Sequence, residues 1–476
     1  MFLADGTMET LLNPFIARDS LVWLKIRPGN PPDTTHVGVP LAQIQRVEVR
    51  KVDAALTTAL VFAVAAVGVT AVLVAGSANN PSPPPPPSSP SCAGNGCLAS
   101  CPQVYSWDGH DWRLDSGTFG GAIMRALART DIDNLDYGRP DHGVLRLKVA
   151  NELIETDYVD ALGVLAVDHD AGFTVAPDAR GRLHTIGTPI LPIAARDFAG
   201  RDALPRVRAL DGWNWESSLA IRDTSVAADL RDGVELSLVR PRGARVARLV
   251  VDANVTAWAA VMMEQFVALH GRATQAWYDS LAAHPEQAQR LGQTVAREAF
   301  LNASVWVDGR WERQGLVWDA GPEIVKRQVV PLDLTRVAGD TVRVRLESIP
   351  SLWLIDQVGI DYSAERPITV TELAASDATG IQGHDVRDLL ASADGRPLVL
   401  EPGDSALLQF AAPAVPAGRV RTFLLRSTGW YQIATPESGE PDVATLARLE
   451  GDPRGFAKAA VTRENAALLA LERAAR

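Results

Sequence analysis

Several common catalytic and cofactor-binding signatures are missing from this sequence of 476 residues. It has no Walker loop, no HExxH, no GxSxG and no dinucleotide-binding glycine fingerprint. Cysteine is rare, with three in the whole chain, and no CxxC or CxxCH pair occurs. These absences give no support to the common nucleotide-dependent, zinc-protease, serine-hydrolase, thioredoxin-type or haem-binding functions.

Basic residues are also fewer than acidic ones, 46 against 57, so the net charge of the chain is −11. Residues 1–53 contribute none of that excess, since six acidic side chains balance six basic ones. The rest of the chain is therefore acidic and would repel phosphate backbones, so we expect no nucleic-acid partner. Apolar residues at 47% and charged residues at 22% are otherwise typical of globular proteins.

A long stretch without any charge runs from Ala54 to Trp107. Its first part, residues 54–76, is apolar and spans about 34 Å as a helix, which is enough to cross a bilayer. A buried core helix seldom runs this long without charge, and a cleaved signal peptide or a lipoprotein signal fits its position poorly. The pattern predicts a single transmembrane helix.

The residues that flank this helix predict its orientation. Arg46, Arg50 and Lys51 precede it, and the next basic residue after it is Arg113. The positive-inside rule therefore places the N-terminus in the cytoplasm and the C-terminal bulk outside, anchored in the inner or cell membrane.

Two smaller segments border the membrane run. Residues 1–53 alternate as strands do in Asp19–Arg27 and Ile44–Lys51, which predicts a small cytoplasmic β segment. That segment is small for an independent domain, so whether the chain starts where the domain does is left open. Residues 77–100 contain PSPPPPPSSP and predict an extended Pro-rich linker between the membrane and the outer domain.

The outer region predicts a mainly β fold of β-sandwich type, because short apolar or alternating runs are separated by Asp-Gly turns. No fixed-period repeat is visible. The clearest strand-like runs are 144–149, 161–167, 234–239, 246–251, 341–346 and 398–400. Asp308-Gly309 is the strongest hairpin signal. In the run that begins at Thr341 the core-facing residues should be Val342, Val344 and Leu346, with Arg343, Arg345 and Glu347 facing solvent.

Helical spacing from Trp258 to Leu281, followed by a second helix start at His284-Pro285, predicts an αα insertion. A last helix is predicted at about 462–475. The predicted divisions are a β-sandwich unit at 101–255, the helical insertion at 256–300, closing sandwich strands at 301–370, and C-terminal strands with a terminal helix at 371–476.

Two stretches resemble known families. CPQVYSWDGHDWRLDSGTFGGAI at 101–123, together with 129–169, resembles the outer domain of uncharacterised bacterial envelope proteins. This resemblance implies an envelope location and brings no established activity. Residues 329–363 resemble the closing strands of galactose-binding-like jelly rolls, which implies a β-sandwich and transfers no binding residues.

The three cysteines, Cys92, Cys97 and Cys101, lie within ten residues of one another. Outside the cytoplasm a short-loop disulfide is the first interpretation. The odd count leaves one thiol over, so an intermolecular disulfide is the second. A zinc site would need a fourth ligand, and the nearest following histidine is His110.

Two acidic motifs suggest chemistry. The run DSGT at 115–118 matches the local signature of aspartic proteases, but only a homodimer could supply the second carboxylate, so we interpret Asp115 as structural. Asp131, Asp133 and Asp136 offer oxygen ligands for Ca²⁺. Their spacing departs from an EF-hand loop, and Asp also favours turns for local reasons.

Trp213 and Trp215 follow the Asp211-Gly212 turn. Alternate residues of a strand share a face, so the two rings could form one aromatic platform for a sugar. We favour the other interpretation, in which both are core residues, because large aromatics usually bury. We keep both as candidate ligand-binding residues.

The leading hypothesis is a membrane-anchored, non-enzymatic binding or structural protein of the cell envelope, with an envelope protein or a glycan as partner. The alternative is an envelope hydrolase with dispersed catalytic residues. Converging carboxylates or histidines in a cleft would favour the enzyme, and an exposed aromatic face would favour binding. Apart from Ca²⁺ at the Asp131 cluster, we predict no cofactor.

Overall fold

The computed structural model describes residues 101–434 and 439–474, and before them the backbone of five short strands between residues 2 and 46. The chain divides into two compact units. The smaller unit holds residues 1–97 with 469–476, and the larger, called the main unit below, holds residues 98–468.

Between residues 1 and 97 the described part of the smaller unit consists of strands, and its residues 469–474 are the end of the last helix of the chain. The strands are β1 Phe2–Leu3, β2 Leu12–Ala17, β3 Ser20–Arg27, β4 Asp33–Pro40 and β5 Ile44–Arg46. β2, β3 and β4 form an antiparallel sheet in that order, and β1 pairs with β5. The strands predicted near residues 19–27 and 44–51 are confirmed as far as they are described.

The predicted transmembrane helix at 54–76 and the Pro-rich linker at 77–100 lie outside the described residues. Among the helices that are described, none combines the length and the apolar character needed to cross a membrane. The membrane topology therefore stays a prediction.

The main unit is mainly β. Its strands are β6 Gln103–Trp107, β7 Trp112–Gly117, β8 Arg129–Asn134, β9 Val144–Ala150, β10 Glu155–Asp170, β11 Thr174–Pro177, β12 Leu183–Ile186, β13 Ala194–Asp197, β14 Trp215–Glu216, β15 Asp232–Val239, β16 Val246–Val255, β17 Leu301–Val307, β18 Arg310–Val317, β19 Lys326–Asp333, β20 Thr341–Ser348, β21 Trp353–Asp361, β22 Thr369–Leu373, β23 Asp377–Thr379, β24 Leu398–Leu400, β25 Ser405–Ala411 and β26 Arg419–Ile433. Its helices are α1 Ala257–Ala268, α2 Thr274–Ala283, α3 Pro285–Glu298, α4 Arg387–Leu390, α5 Val443–Gly451 and α6 Gly455–Ala474. All six strand-like runs named from the sequence fall within these strands.

Two sheets form what we call the first module. Sheet I has the order β23-β25-β9-β6-β7, and sheet II has β22-β10-β26-β8 with β24 added beside β10. Alternate residues of both sheets meet in one hydrophobic core, for example Val104 and Leu147 of sheet I with Val164 and Leu425 of sheet II. Such a two-layer arrangement is consistent with a β-sandwich.

Two further sheets form the second module. Sheet III has the order β13-β15-β20-β17-β18, and sheet IV has β14-β21-β16-β19. In β20 the predicted alternation is confirmed, because the following three side chains are fully buried: Val342, Val344 and Leu346. Arg345 is less exposed than predicted, at 25% of its side chain, because it contacts Glu235.

The hairpin predicted at Asp308-Gly309 is confirmed, since it joins β17 to β18 and Val307 pairs with Arg310. Asp308 and Gly309 both have positive φ, at 50° and 82°. Two consecutive residues in this conformation define the turn whose twist matches that of the two strands.

The two modules have the same strand order. In sheets I and III the edge hairpin β6-β7 corresponds to β17-β18, followed by β9 and β20, then β25 and β15, then β23 and β13. In sheets II and IV the central strands β10 and β26 correspond to β21 and β16, with β8 and β19 beside them. Sheet II has one strand more than sheet IV, β22, and the chain order differs by a circular permutation. The second module begins with the counterparts of β23 to β26 and ends with those of β6 to β10.

Irregularities of the sheets also fall at corresponding places. In each edge hairpin a tryptophan of the first strand pairs with a tryptophan of the second, namely Trp107 with Trp112 and Trp306 with Trp311. In both hairpins the register shifts three residues before the first of these tryptophans. Both pairs meet edge to face, with ring centroids 5.5 and 5.1 Å apart. Shared bulges are not required by strand order alone, so the likeness of the two modules extends beyond strand order.

The predicted divisions of the main unit follow chain order, whereas the sheets do not. β10 pairs with β26 along its whole length, which joins the predicted unit 101–255 to the predicted segment 371–476. The first module therefore encloses the second in sequence, between β10 and β22. This nested arrangement hides the duplication from a search for a fixed-period repeat.

The helical block lies between β16 and β17 and contains three helices rather than the predicted two. α1 ends at Ala268, and a 3-10 turn at Gly271–Ala273 separates it from α2. Gly271 has a φ of 48°, a conformation that interrupts a regular helix. The predicted terminal helix is confirmed within α6, which begins earlier than predicted, at Gly455.

The hairpin β11-β12 connects the two modules. Val175 packs with Leu165 and Leu424 of sheet II, whereas Ala176 and Ile186 pack with Val250 and Val329 of sheet IV. Successive residues of a strand point to opposite faces, so one hairpin contacts both modules at once. This hairpin supplies part of the site described next.

Candidate functional site

A groove of about 680 Å³ opens at one end of sheet IV. Its lining comes from the start of β12 and of β16 and from the ends of β19 and β21. Antiparallel pairing brings these ends together, because Val246 lies opposite Asp333 and Arg248 opposite Asp361. The groove therefore collects residues that are far apart in sequence.

The wall of the groove is a network of charged side chains. Arg248 Nη2 lies 2.6 Å from Asp361 Oδ2, and Arg248 Nη1 lies 3.0 Å from Glu365 Oε1. His184 Nδ1 is 2.9 Å from Glu365 Oε1, and its Nε2 is 3.1 Å from Asp178 Oδ2. Three carboxylates thus alternate with a guanidinium and an imidazole.

His184 is held between two carboxylates and is almost fully buried. A neutral imidazole carries one N–H, so it donates to both Asp178 and Glu365 only when it is doubly protonated. With both ring nitrogens engaged, the imidazole is oriented by the network rather than directed at the groove. Its role in this geometry is to hold Glu365 in place.

Glu365 is the member of the network that reaches solvent, with 43% of its side chain exposed. Partial burial raises the pKa of this carboxyl, but hydrogen bonds from His184 and Thr185 and the charge of Arg248 outweigh it, so the pKa falls to about 2. Glu365 is therefore a fixed anion at the groove wall across the physiological range.

The floor and rim of the groove mix polar and apolar side chains. Val246 is 70% exposed, and Tyr362 and Pro331 add further apolar surface. Arg182, Gln314, Asp333 and Ser363 supply donors and acceptors along the same lining. A concave surface with a few oriented polar groups and apolar patches suits a polar ligand such as a sugar.

Sequence reasoning did not select any member of this network. The available signal was a charge inside an apolar strand, such as Arg248 in VARLVVDANV or Asp361 in VGIDYS. A charge on a buried strand face requires a partner, but the sequence does not say which. The partners here come from a hairpin and from a segment after β21.

The candidate Ca²⁺ ligands do not converge. Asp131 binds Arg129 at 2.7 Å and accepts the Phe119 N–H, and Asp133 accepts the Ser116 hydroxyl. The carboxyl of Asp136 is 59% exposed. Within the described part of the chain no group of three or more acidic, histidine or cysteine side chains is arranged to hold a metal ion.

Asp115 is fully buried, where its carboxylate accepts the N–H groups of Asp136 and Tyr137. Lys326 lies beside it and donates 2.5 Å hydrogen bonds to the carbonyl oxygens of Asp115 and Asn134. Burial raises the pKa of Asp133 to about 6, an effect that the charge of Lys326 opposes. The DSGT and DIDN runs thus meet at a buried lysine of the second module.

Trp213 and Trp215 are separated by the structure. Trp213 is 41% exposed in the turn before β14, and Arg206 lies 4.1 Å from its ring centroid. Trp215 is buried at 5% exposure and pairs with Ile355 in sheet IV. The two rings therefore do not share an exposed face, because β14 begins only at Trp215.

Of the three cysteines, Cys92 and Cys97 lie outside the described residues. Cys101 is 2% exposed and belongs to the core of the first module. The disulfide prediction therefore stays a prediction.

The chain matches no protein family model, and no curated protein matches it. In the part of the chain that the structure describes, fold and groove define a mainly β protein of two similar modules, with a charged groove in the second.

Proposed function

We propose that this protein is a membrane-anchored, non-enzymatic binding protein of the cell envelope, whose main unit binds a glycan in the groove of the second module. The observation that carries the proposal is the groove wall, where ion pairs and hydrogen bonds hold Glu365 beside exposed apolar surface. The membrane anchor rests on the apolar run at 54–76, and the outward orientation rests on the basic residues before it.

The fold supports a binding role in this proposal. Each module is a β-sandwich, the second resembling a galactose-binding-like jelly roll along 329–363. Such sandwiches present ligand surfaces at strand ends, and this groove lies at the ends of β19 and β21. Rigid strands on three sides would hold the polar groups before a ligand arrives, which reduces the entropy lost on binding.

A hydrolase is the less suitable interpretation of the same groove. General base catalysis needs a ring nitrogen or carboxylate within reach of a substrate proton. In this groove His184 has both ring nitrogens engaged, and Glu365 is held as a weak base by its lowered pKa of about 2. The network therefore suits recognition better than proton transfer.

The test uses the full chain in lipid nanodiscs and soluble peptidoglycan fragments as the glycan probe. We expect saturable binding that Arg182→Ala weakens about tenfold, because an exposed groove donor is lost. Arg180→Ala is the matched control, since it lies on the same hairpin, is exposed, and does not line the groove. Isothermal titration calorimetry would measure both dissociation constants.

Absence of saturable binding, or equal weakening by the two substitutions, would contradict the glycan site. If the chain bound no fragments but bound an envelope protein, and Arg182→Ala abolished that binding, the groove would still be the binding site, but its ligand would be a protein rather than a glycan.

A further inference from the structure

An exposed apolar turn lies along one edge of sheet IV, where the segment before β14 runs beside β21. Leu210 is 55% exposed and Trp213 is 41% exposed. Ile190, at 39% exposure, lies on the same edge, because it bridges to Ile360 as Arg208 bridges to Gln357. Three large apolar side chains therefore face solvent along one edge.

The turn is held rigidly in this position. The carboxylate of Asp356 accepts the N–H groups of Asp211 and Gly212, at 3.3 and 3.1 Å. Asp211 Oδ1 in turn accepts the Trp213 N–H at 3.0 Å. Gly212 has a φ of 77°, which permits the sharp turn. Leu210 and Trp213 are presented by a fixed backbone rather than by a loose loop.

The first module has the same turn with different residues. Asp160 is a bulge residue of β10 as Asp356 is of β21, and it accepts the N–H of Gly395 at 2.9 Å. In that turn, Ala393 and Arg396 occupy the positions of Leu210 and Trp213. The scaffold therefore forms without large apolar residues at these positions. Their exposure in the second module needs another explanation, and a binding surface provides one.

The chemistry of the turn suits a bilayer surface. The Arg206 guanidinium lies 4.1 Å from the Trp213 ring centroid and covers one ring face. Tryptophan prefers the boundary between lipid headgroups and acyl chains. Leu210 is aliphatic and could enter the acyl region.

We propose that the Leu210–Trp213 turn docks on the surface of the bilayer in which this chain is anchored. The proposal rests on the membrane anchor of the proposed function. Residues 77–97 separate the apolar run from the main unit, a span of at most about 76 Å when extended. A tether of this length keeps the turn near one membrane, so weak interfacial contacts are enough to dock it.

Photo-crosslinking of the full chain in phosphatidylcholine vesicles tests the proposal. A genetically encoded diazirine residue replaces Leu210 in one variant and the exposed Ala393 of the first module in a matched control. We expect lipid adducts at position 210 to exceed those at 393 about tenfold by mass spectrometry. Trp213→Arg, which places the residue of the first module in the turn, should reduce the adducts at 210.

Carbonate extraction separates this proposal from the membrane anchor. A chain that resists extraction but gives equal lipid adducts at 210 and 393, adducts to protein only, or no adducts would overturn the docking proposal alone. A chain released by carbonate would overturn the anchor and the docking proposal together.

Discussion

The two modules of the main unit share a fold and differ in what they add to it. Both have the edge hairpin with its tryptophan pair, and both hold an Asp-Gly turn on a bulged aspartate, Asp160 or Asp356. The groove network and the apolar turn occur in the second module. At the positions that Ser351 and Trp353 occupy in the second module, the first module has a buried pair of acidic residues. Features present in both belong to the fold, so features of one module are the better candidates for function.

That acidic pair is Glu155 and Asp157, on the same face of β10 and almost fully excluded from solvent. Burial raises the pKa of Asp157 well above its usual range, the hydrogen bond with Glu155 opposes this, and the charge of Glu401 adds to it. The corresponding position in the second module is Trp353, which is apolar and 2% exposed. The first module thus carries a titratable group in a position that the fold can fill with an apolar one.

The largest expected effect comes from charging the core of either module. Val344 and Leu147 occupy corresponding strands, β20 and β9, and both are fully buried. Val344→Asp loses roughly 1.5–3 kcal/mol of burial and adds the cost of an unpaired buried carboxylate. We expect Val344→Asp and Leu147→Asp to abolish folding, as measured by circular dichroism.

Val399→Asp is the control for that pair, because Val399 is 39% exposed on β24. It should change the free energy of unfolding by about 0.5 kcal/mol or less. If Leu147→Asp alone prevented folding, the modules would not be energetically equivalent.

A smaller effect is expected from Lys326→Met at the contact between the modules. Lys326 is 1% exposed and faces Asp115, so its removal leaves buried acidic groups without their cation. We expect a loss of about 3–5 kcal/mol in urea unfolding. Lys458→Met is the control, because Lys458 pairs with Asp452 at the surface, and should cost about 0.5 kcal/mol or less.

Asp157→Asn should stabilise the protein, and only at higher pH. Since the folded pKa of Asp157 is raised, the folded state keeps a proton that the unfolded chain releases near pH 4, and stability falls as pH rises through the folded pKa. The asparagine side chain does not ionise, so the variant does not lose this stability as the pH rises. The melting temperature of Asp157→Asn should exceed that of the wild type by several degrees at pH 8 and approach it at pH 4. Parallel pH profiles would argue against a raised pKa of Asp157.

The smallest effect is expected for Glu365→Gln in the groove. The pKa of Glu365 is lowered from 4.5 to about 2, so its stabilisation is present above pH 4.5 and is lost as pH falls towards 2. Because the side chain is partly exposed, solvent screening limits the effect to about 1 kcal/mol or less. Urea unfolding at pH 7 should separate variant and wild type, and the difference should vanish near pH 2. A difference that persisted at pH 2 would show that the substitution acts through packing.

Local pattern predicted the elements well. The alternation in TVRVRLES placed Val342, Val344 and Leu346 in the core, and Asp308-Gly309 located the hairpin before any partner strand was known. Both signals depend on neighbouring residues alone, so they predict the local structure whatever tertiary contacts form later. The candidate site residues do not lie together: Trp215 is buried, in agreement with the core interpretation, and the Asp131 cluster is divided among other partners.

The sequence by itself determined the strands, the turns, the helical block and the charge balance, because alternation, turn chemistry and helical spacing are local. The tertiary structure alone decided the pairing of β10 with β26, the nesting of one module within the other, and the meeting of His184, Arg248, Asp361 and Glu365. These pairings depend on which strand ends come to lie side by side. Many pairings of amphipathic strands satisfy the same alternation, and only packing of the whole core selects one of them.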